Sequence, residues 1–179
     1  GEGLQDLGRR QIVERTSYLN EGDIISFVLP VESKTLTSIG FYLNTDELIL
    51  DGKLNIKAMD DKTGEVLAKS SILLKEIEMD QFVQLPVDHY TNGTVRVELS
   101  VEECEQGPRF WLNSTTETDA KSWYNGRELS YPLVYNAGFS VMTRDIKGAV
   151  VTTLMAVLFG TVLLLSLRHI SEPTDTERS

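Results

Sequence analysis

Cysteine and histidine are scarce in this sequence, and their scarcity excludes several kinds of site. Cys104 is the only cysteine among 179 residues, so no internal disulfide forms and the fold depends on its core. Acidic residues surround Cys104 and raise the pKa of a thiol, which disfavours a reactive nucleophile. His89 lies in a turn-like stretch, with no metal-ligand spacing to Cys104 and no nucleophile-elbow motif anywhere. We interpret His89 as a solvated loop histidine, and we predict no catalytic residue and no zinc site.

Positive charge is also in short supply. Residues 1–147 contain 15 Lys and Arg against 24 Asp and Glu, so their surface repels nucleic acid and anionic lipid headgroups. We therefore predict no nucleic-acid partner.

The acidic pairs at 46–47, 60–61 and 102–103 are sequence neighbours, whose side chains point to opposite faces of a strand, so they do not form the facing carboxylates of a glycoside hydrolase. We interpret them as solvated loop charge, although loop carboxylates and carbonyls leave a structural Ca²⁺ site open.

Convincing amphipathic helices are missing from residues 11–143. Short runs rich in Val, Ile, Phe and Tyr alternate there with turn signals, and each run is typical of a strand. The predicted strands are 12–18, 24–29 (ended by Pro30), 36–43, 53–59, 65–69, 81–87, 94–101, 109–112, a short piece near 123–124, and 134–141. Residues 71–78 are ambiguous between strand and helix, because their apolar residues also have helical spacing. Residues 60–64 predict a hairpin turn with Gly64 at positive φ. The pattern favours an all-β antiparallel β-sandwich with jelly-roll or Greek-key connections, preceded by a flexible lead-in at 1–10.

The one long hydrophobic run, 148–167, contains no ionisable residue. Twenty helical residues extend about 30 Å, which matches the hydrocarbon core of a bilayer, so we predict a transmembrane α-helix over 147–168 and a polar tail over 169–179. A helix buried inside a soluble domain is the alternative. Ala156 and Gly160 form a small-xxx-small pair that could seat another helix. Flanking Lys and Arg are balanced and do not set the orientation of the helix in the cell membrane. A long domain translocates largely regardless of its charge, so our hypothesis places the long N-terminal part outside the cytoplasm.

Aromatic residues gather late in the chain, among amide and basic side chains. Sugars lay their apolar faces on aromatic rings while polar groups bind the hydroxyls, so this mixture is a candidate glycan site. The candidate glycan-binding residues are Trp111, Trp123, Tyr124, Asn125, Arg127 and Tyr131. The alternative is that individual members pack in the core or against headgroups. Asn92 and Asn113 begin formal N-glycosylation sequons, which matter only in a eukaryotic secretory pathway.

Several motifs occur in the same order as in a known family of β-domains. Residues 25–28, 36–43, 52–57, 63–67 and 123–126, followed by 139–141, together resemble the extracytoplasmic jelly-roll domains of bacterial membrane proteins of cell-surface polysaccharide assembly. Those domains are similar to carbohydrate-binding modules and are often carried by multi-spanning glycosyltransferase-like proteins. This chain departs from the pattern because it has one predicted span and no transferase motif.

The resemblance implies a membrane-anchored module that binds envelope glycan or scaffolds polysaccharide assembly. One alternative is an accessory subunit that contacts a membrane protein partner rather than a glycan. Another is a fragment of a larger membrane glycosyltransferase. An enzyme such as a glycan hydrolase would need two carboxylates facing each other across a cleft, and no pair in the sequence is placed in that way.

Overall fold

The computed structural model describes residues 12–114 and 118–141, and the side chains of 14–114 and 118–140, as an all-β antiparallel domain. The strands are β1 (Ile12–Arg15), β2 (Ile25–Asn44), β3 (Lys53–Asp60), β4 (Val66–Leu73), β5 (Asp80–Glu102), β6 (Arg109–Asn113), β7 (Lys121–Tyr124), β8 (Arg127–Glu128) and β9 (Tyr135–Val141). A short 3₁₀ turn, Leu74–Glu76, joins β4 to β5.

Two long strands, β2 and β5, each belong to two layers. In the first layer, residues 25–31 of β2 pair with 93–99 of β5, and this ladder continues outward to β7 and β8 on one side and to β3 and β4 on the other. In the second layer, residues 34–44 of β2 pair with 80–91 of β5, while β6 and β9 also pair with β2 and β1 pairs with β6.

The second half of β2 folds back over the first half. The rings of Phe27 and Phe41, both in β2, have centroids only 5.0 Å apart in an edge-to-face arrangement. A straight strand would separate these two residues by about 46 Å, at about 3.3 Å per residue. The two halves of β2 therefore lie in facing layers, and the domain is sandwich-like, as the sequence predicted.

The bend occurs where the β2–β5 register shifts, between Val31 and Lys34. Ser33 adopts a φ of 46°, and Asn92 Oδ1 accepts hydrogen bonds from the Ser33 N–H (3.2 Å) and hydroxyl (3.3 Å). The prediction that a strand ends at Pro30 was wrong, because pairing with β5 continues through the proline. The last β2–β7 pair is Val28, so the missing N–H of Pro30 breaks no bond to β7.

Alternation along the strands places the core between the layers. Alternation in 53–59 predicts that Leu54, Ile56 and Ala58 share one face, and alternation in 94–101 predicts that Val95, Val97, Leu99 and Val101 face inward. All seven side chains are buried, so both predictions are confirmed. Alternation in 36–43 predicts that Thr37, Ile39, Phe41 and Leu43 face inward. Ile39, Phe41 and Leu43 are buried, but Thr37 is exposed and Leu36 is buried, because a register shift between Leu36 and Ser38 turns Leu36 to the buried side.

The predicted hairpin turn at 60–64 is confirmed. Asp60 Oδ1 accepts hydrogen bonds from the N–H groups of Lys62 (2.9 Å) and Thr63 (2.8 Å), and Gly64 adopts a φ of 75°. These contacts close the turn between β3 and β4. In the stretch 71–78, residues 71–73 end β4, Leu74–Glu76 form the 3₁₀ turn, and residues 77–78 belong to neither element.

The predicted membrane helix, its packing residues Ala156 and Gly160, the polar tail and the lead-in lie outside the described residues. Within residues 12–114 and 118–141, no helix is long and apolar enough to span a membrane.

Candidate functional site

The six candidate glycan-binding residues do not share one face of the sandwich. Trp111 belongs to β6 in the second layer, whereas Trp123 and Arg127 belong to the β7–β8 hairpin of the first layer. Tyr131 packs partly against the core. The sequence therefore identified two separate surfaces, and each surface has its own geometry.

Trp111 is held in a fixed orientation on the outer side of the second layer. Its indole Nε1–H donates to Asp80 Oδ1 at 2.9 Å, and Asn44 Nδ2 donates to the same oxygen at 2.8 Å. The guanidinium of Arg15 lies 5.3 Å from the centre of the indole ring, within the range of a cation–π contact. The half-buried ring is thus positioned before any ligand arrives.

Two further aromatic side chains lie on the same outer surface. Tyr42 of β2 and Phe82 of β5 pair across the strands with ring centroids 4.9 Å apart. Val134 joins this pair to Trp111, because its carbonyl accepts from the Tyr42 N–H (3.1 Å) and its N–H donates to the Trp111 carbonyl (2.8 Å). We call Tyr42, Phe82 and Trp111 the aromatic face. Burial, and then the charge of Asp80, raises the pKa of Tyr42, so its hydroxyl is a neutral donor at physiological pH.

A cavity of about 430 Å³ lies next to the aromatic face. Its lining consists of Ser38, Gln84, Pro86, Asn136, Ala137 and Gly138. A methyl group at Gly40 would lie 2.5 Å from both the Gln84 and the Asn136 amide oxygens, so the glycine is what lets these amides lie across the sheet. Gly40 is two residues from Tyr42, and Gln84 is two residues from Phe82, which puts them about 7 Å along the same face. We call this cavity the glycine trough.

The outer side of the first layer carries a groove of about 410 Å³ with a different character. Lysine, glutamate, serine and asparagine side chains line it, and two of them form an ion pair, Lys57 Nζ to Glu98 Oε2 at 3.8 Å. Trp123 lies directly across the sheet from Lys57, but three strands away, which is about 14 Å. Its ring instead lies 5.8 Å from the guanidinium of Arg96, which is paired with Asp61. No aromatic side chain lines this groove within the described part of the chain.

Tyr124 and Asn125 use their polar atoms inside the protein. The Tyr124 hydroxyl donates to the Tyr18 carbonyl at 2.6 Å and lies 2.9 Å from Asp23 Oδ2, while Asn125 Nδ2 donates to Asp23 Oδ1 at 2.8 Å. The bond from Asn125 lowers the pKa of Asp23, whereas burial, and then Asp23, raises the pKa of Tyr124 to about 12. Asn125 Oδ1 also accepts from the Ile24 N–H. These contacts fasten the β7–β8 turn to the loop that precedes β2.

The polar residues that sequence analysis considered for chemistry remain dispersed. His89 lies within β5, paired with Leu36, and not in a loop as predicted, because the β2–β5 ladder continues through this stretch. Cys104 is buried, its Sγ lies 3.1 Å from the Gln106 carbonyl, and burial raises its thiol pKa. No group of three or more His, Cys, Asp or Glu residues placed to hold a metal ion occurs among residues 12–114 and 118–141.

The two sequons differ in accessibility. Asn113 is buried, with 8% of its surface exposed. Asn92 is exposed and lies at the bend.

Sequence reasoning found Trp111 but missed Tyr42, Phe82, Gln84 and Asn136. Alternation in 36–43 already puts Tyr42 on one face with Gly40 and Ser38. What the sequence did not supply is the pairing of that face with β5 and β9, which brings Phe82, Gln84 and Asn136 beside it.

No protein-family model matches the chain, and no curated protein matches it.

Proposed function

We propose that the protein is a membrane-anchored glycan-binding module whose aromatic face and glycine trough hold an envelope glycan. The observation that carries this proposal is the juxtaposition of Tyr42, Phe82 and Trp111 with the amide-lined trough on one exposed surface. Aromatic rings bind the apolar face of a pyranose, and amide groups bind its hydroxyls in either direction, because each amide has both a donor and an acceptor.

The chemistry of this surface favours a neutral sugar chain. The charged groups beside the aromatic face are already paired, since Asp80 accepts hydrogen bonds from Trp111 and Asn44, and Arg15 forms an ion pair with Asp46. The trough itself is lined by hydroxyl, amide and apolar groups without a charged side chain. A neutral glycan would therefore pay no desolvation penalty for an unmatched charge, whereas an acidic one would gain no ionic partner in the trough.

The proposal also includes the type of sandwich and its position relative to the membrane. The two-layer antiparallel domain supports a jelly-roll relationship to the polysaccharide-assembly domains that the sequence resembles. The apolar run 148–167 supports a single membrane-spanning helix, with the sandwich outside the cytoplasm. Protease added to intact cells should then remove the sandwich, and full protection of the sandwich would reverse the orientation.

Calorimetric titration of the full chain in detergent with neutral oligosaccharides from bacterial envelope polysaccharide tests the binding function. Phe82→Ala and Gln84→Ala should each weaken binding about tenfold, the equivalent of about 1.4 kcal/mol. Arg127→Ala, on the exposed β7–β8 hairpin of the other layer, is the matched control and should bind like the wild type. Binding that is lost in Arg127→Ala but kept in Phe82→Ala would contradict the proposed surface.

A further inference from the structure

One loop of the sandwich displays apolar side chains to solvent. Ile49 is 86% exposed and Leu48 is 50% exposed, and Met79, on the segment that precedes β5, is 44% exposed. Thr45 connects them, because its N–H donates to the Met79 carbonyl (2.9 Å) and its carbonyl accepts from the Leu48 N–H (3.0 Å). We call Leu48, Ile49 and Met79 the apolar tip.

The apolar tip is anchored on its C-terminal side. The next residue, Leu50, is 6% exposed and belongs to the hydrophobic core. Gly52 follows at a φ of 89°, and its carbonyl accepts from the Leu74 N–H at 2.9 Å. Leu50 thus enters the core while its two apolar neighbours stay outside.

The N-terminal side of the tip holds an uncommon backbone. Asp46 and Glu47 are consecutive non-glycine residues with φ of 54° and 61°, in the left-handed region that costs an L-residue roughly 1 kcal/mol or more. Asp46 is fixed by an ion pair with Arg15 and by a 2.7 Å hydrogen bond from the Tyr18 hydroxyl. This network holds the loop in a conformation that presents Leu48 and Ile49 rather than folding them onto the sandwich.

Acidic residues surround the apolar tip. The segments 46–51, 75–80 and 102–106 contain nine acidic residues and one lysine, and the ion pair of Arg15 with Asp46 leaves this region net negative. They lie together, since Gly52 is packed against the Glu102 and Glu103 carbonyls and Thr45 is hydrogen-bonded to Met79. An anionic bilayer surface would repel this rim, whereas a partner with basic residues around an apolar pocket would match it.

We propose that the apolar tip is a protein-docking site that inserts into an apolar pocket bordered by lysine or arginine on a partner protein. Exposed apolar side chains on a rigid loop lose little conformational entropy on binding, and the acidic rim selects the partner by charge. The surroundings of the tip share Arg15 and Asp80 with Trp111, but Leu48, Ile49 and Met79 are not part of the aromatic face, and the docking proposal does not depend on glycan binding.

Site-specific photocrosslinking of the full chain in its native membranes tests the docking site. A benzophenone amino acid at position 49 should give one defined protein adduct. The same probe at position 66 should give none, since Val66 is as exposed as Leu48 but lies outside the acidic rim. Leu48→Ser and Glu47→Lys, each combined with the probe at 49, should lower the adduct yield at least fivefold without changing the thermal unfolding temperature.

The identity of the adduct decides between occupants. A partner peptide that carries lysine or arginine beside an apolar segment supports the proposal. A lipid adduct, an adduct with a second copy of this chain, a partner peptide without basic residues, or a yield at 49 no higher than at 66 would each overturn it.

Discussion

A double-mutant cycle on Phe27 and Phe41 tests whether β2 folds back on itself. The two rings lie 5.0 Å apart and both side chains are fully buried. Phe27→Leu and Phe41→Leu should each lower the free energy of unfolding by about 1 kcal/mol, because each keeps an apolar side chain of similar volume. Edge-to-face aromatic pairs contribute about 0.5–1.5 kcal/mol beyond burial, so the double variant should be less destabilised than the sum of the single variants by that amount.

Urea unfolding of the full chain, followed by tryptophan fluorescence, gives the four free energies. Phe27→Leu combined with Val66→Ala is the control pair, since Val66 lies three strands from Val28 and should add to Phe27 within about 0.3–0.5 kcal/mol. A coupling between Phe27 and Phe41 as small as in the control pair would refute the folded-over strand, because residues 14 apart in a straight strand cannot interact.

Other features of the domain give sharper tests of local structure. Tyr18→Phe removes the hydrogen bond that contributes most to the lowered pKa of Asp46, so it should cost about 1–2 kcal/mol at pH 7. A carboxyl group whose pKa is lower in the folded state stabilises the fold at pH values above its unfolded-state pKa of about 3.9. Urea unfolding at a series of pH values should therefore show the cost of Tyr18→Phe disappearing as the pH falls below about 4 and Asp46 becomes protonated. Gly52→Ala would put a methyl group 2.2 Å from the Glu102 carbonyl and should cost roughly 3 kcal/mol or more, whereas Gly64→Ala, also at positive φ but with open space around it, should cost about 1 kcal/mol by the same assay. Equal losses at the two glycines would show that backbone conformation alone, and not the clash, sets the cost.

The strands that sequence predicted best are those with strict alternation. Leu54, Ile56 and Ala58 recur every second residue between clear turn signals, so both the strand and its buried face follow from a period of two. The continuity of β2 and β5 did not follow, because Pro30 and the Asn92-Gly93 pair have the composition of turns. The bend lies between Val31 and Lys34 and depends on pairing between residues about 60 positions apart, which the local sequence pattern does not contain.

The candidate site was predictable only in part, for the same reason. Trp111 stands out as a rare residue, but its partner Asp80 and its neighbours Tyr42 and Phe82 come from other strands. Trp123 stands out equally, yet it faces the other side of the sandwich. Composition identifies residue types suited to sugar binding, whereas strand pairing decides which of them share a surface.

The most direct test of the glycan-binding proposal uses the two tryptophans, Trp111 and Trp123, which are the only ones in the chain. Each indole N–H gives its own proton–nitrogen NMR signal, which can be followed while the full chain in detergent is titrated with a neutral envelope oligosaccharide. The proposal predicts a saturable shift of the Trp111 signal while the Trp123 signal stays in place. A shift of Trp123 alone, or no shift of either signal at millimolar sugar, would contradict it.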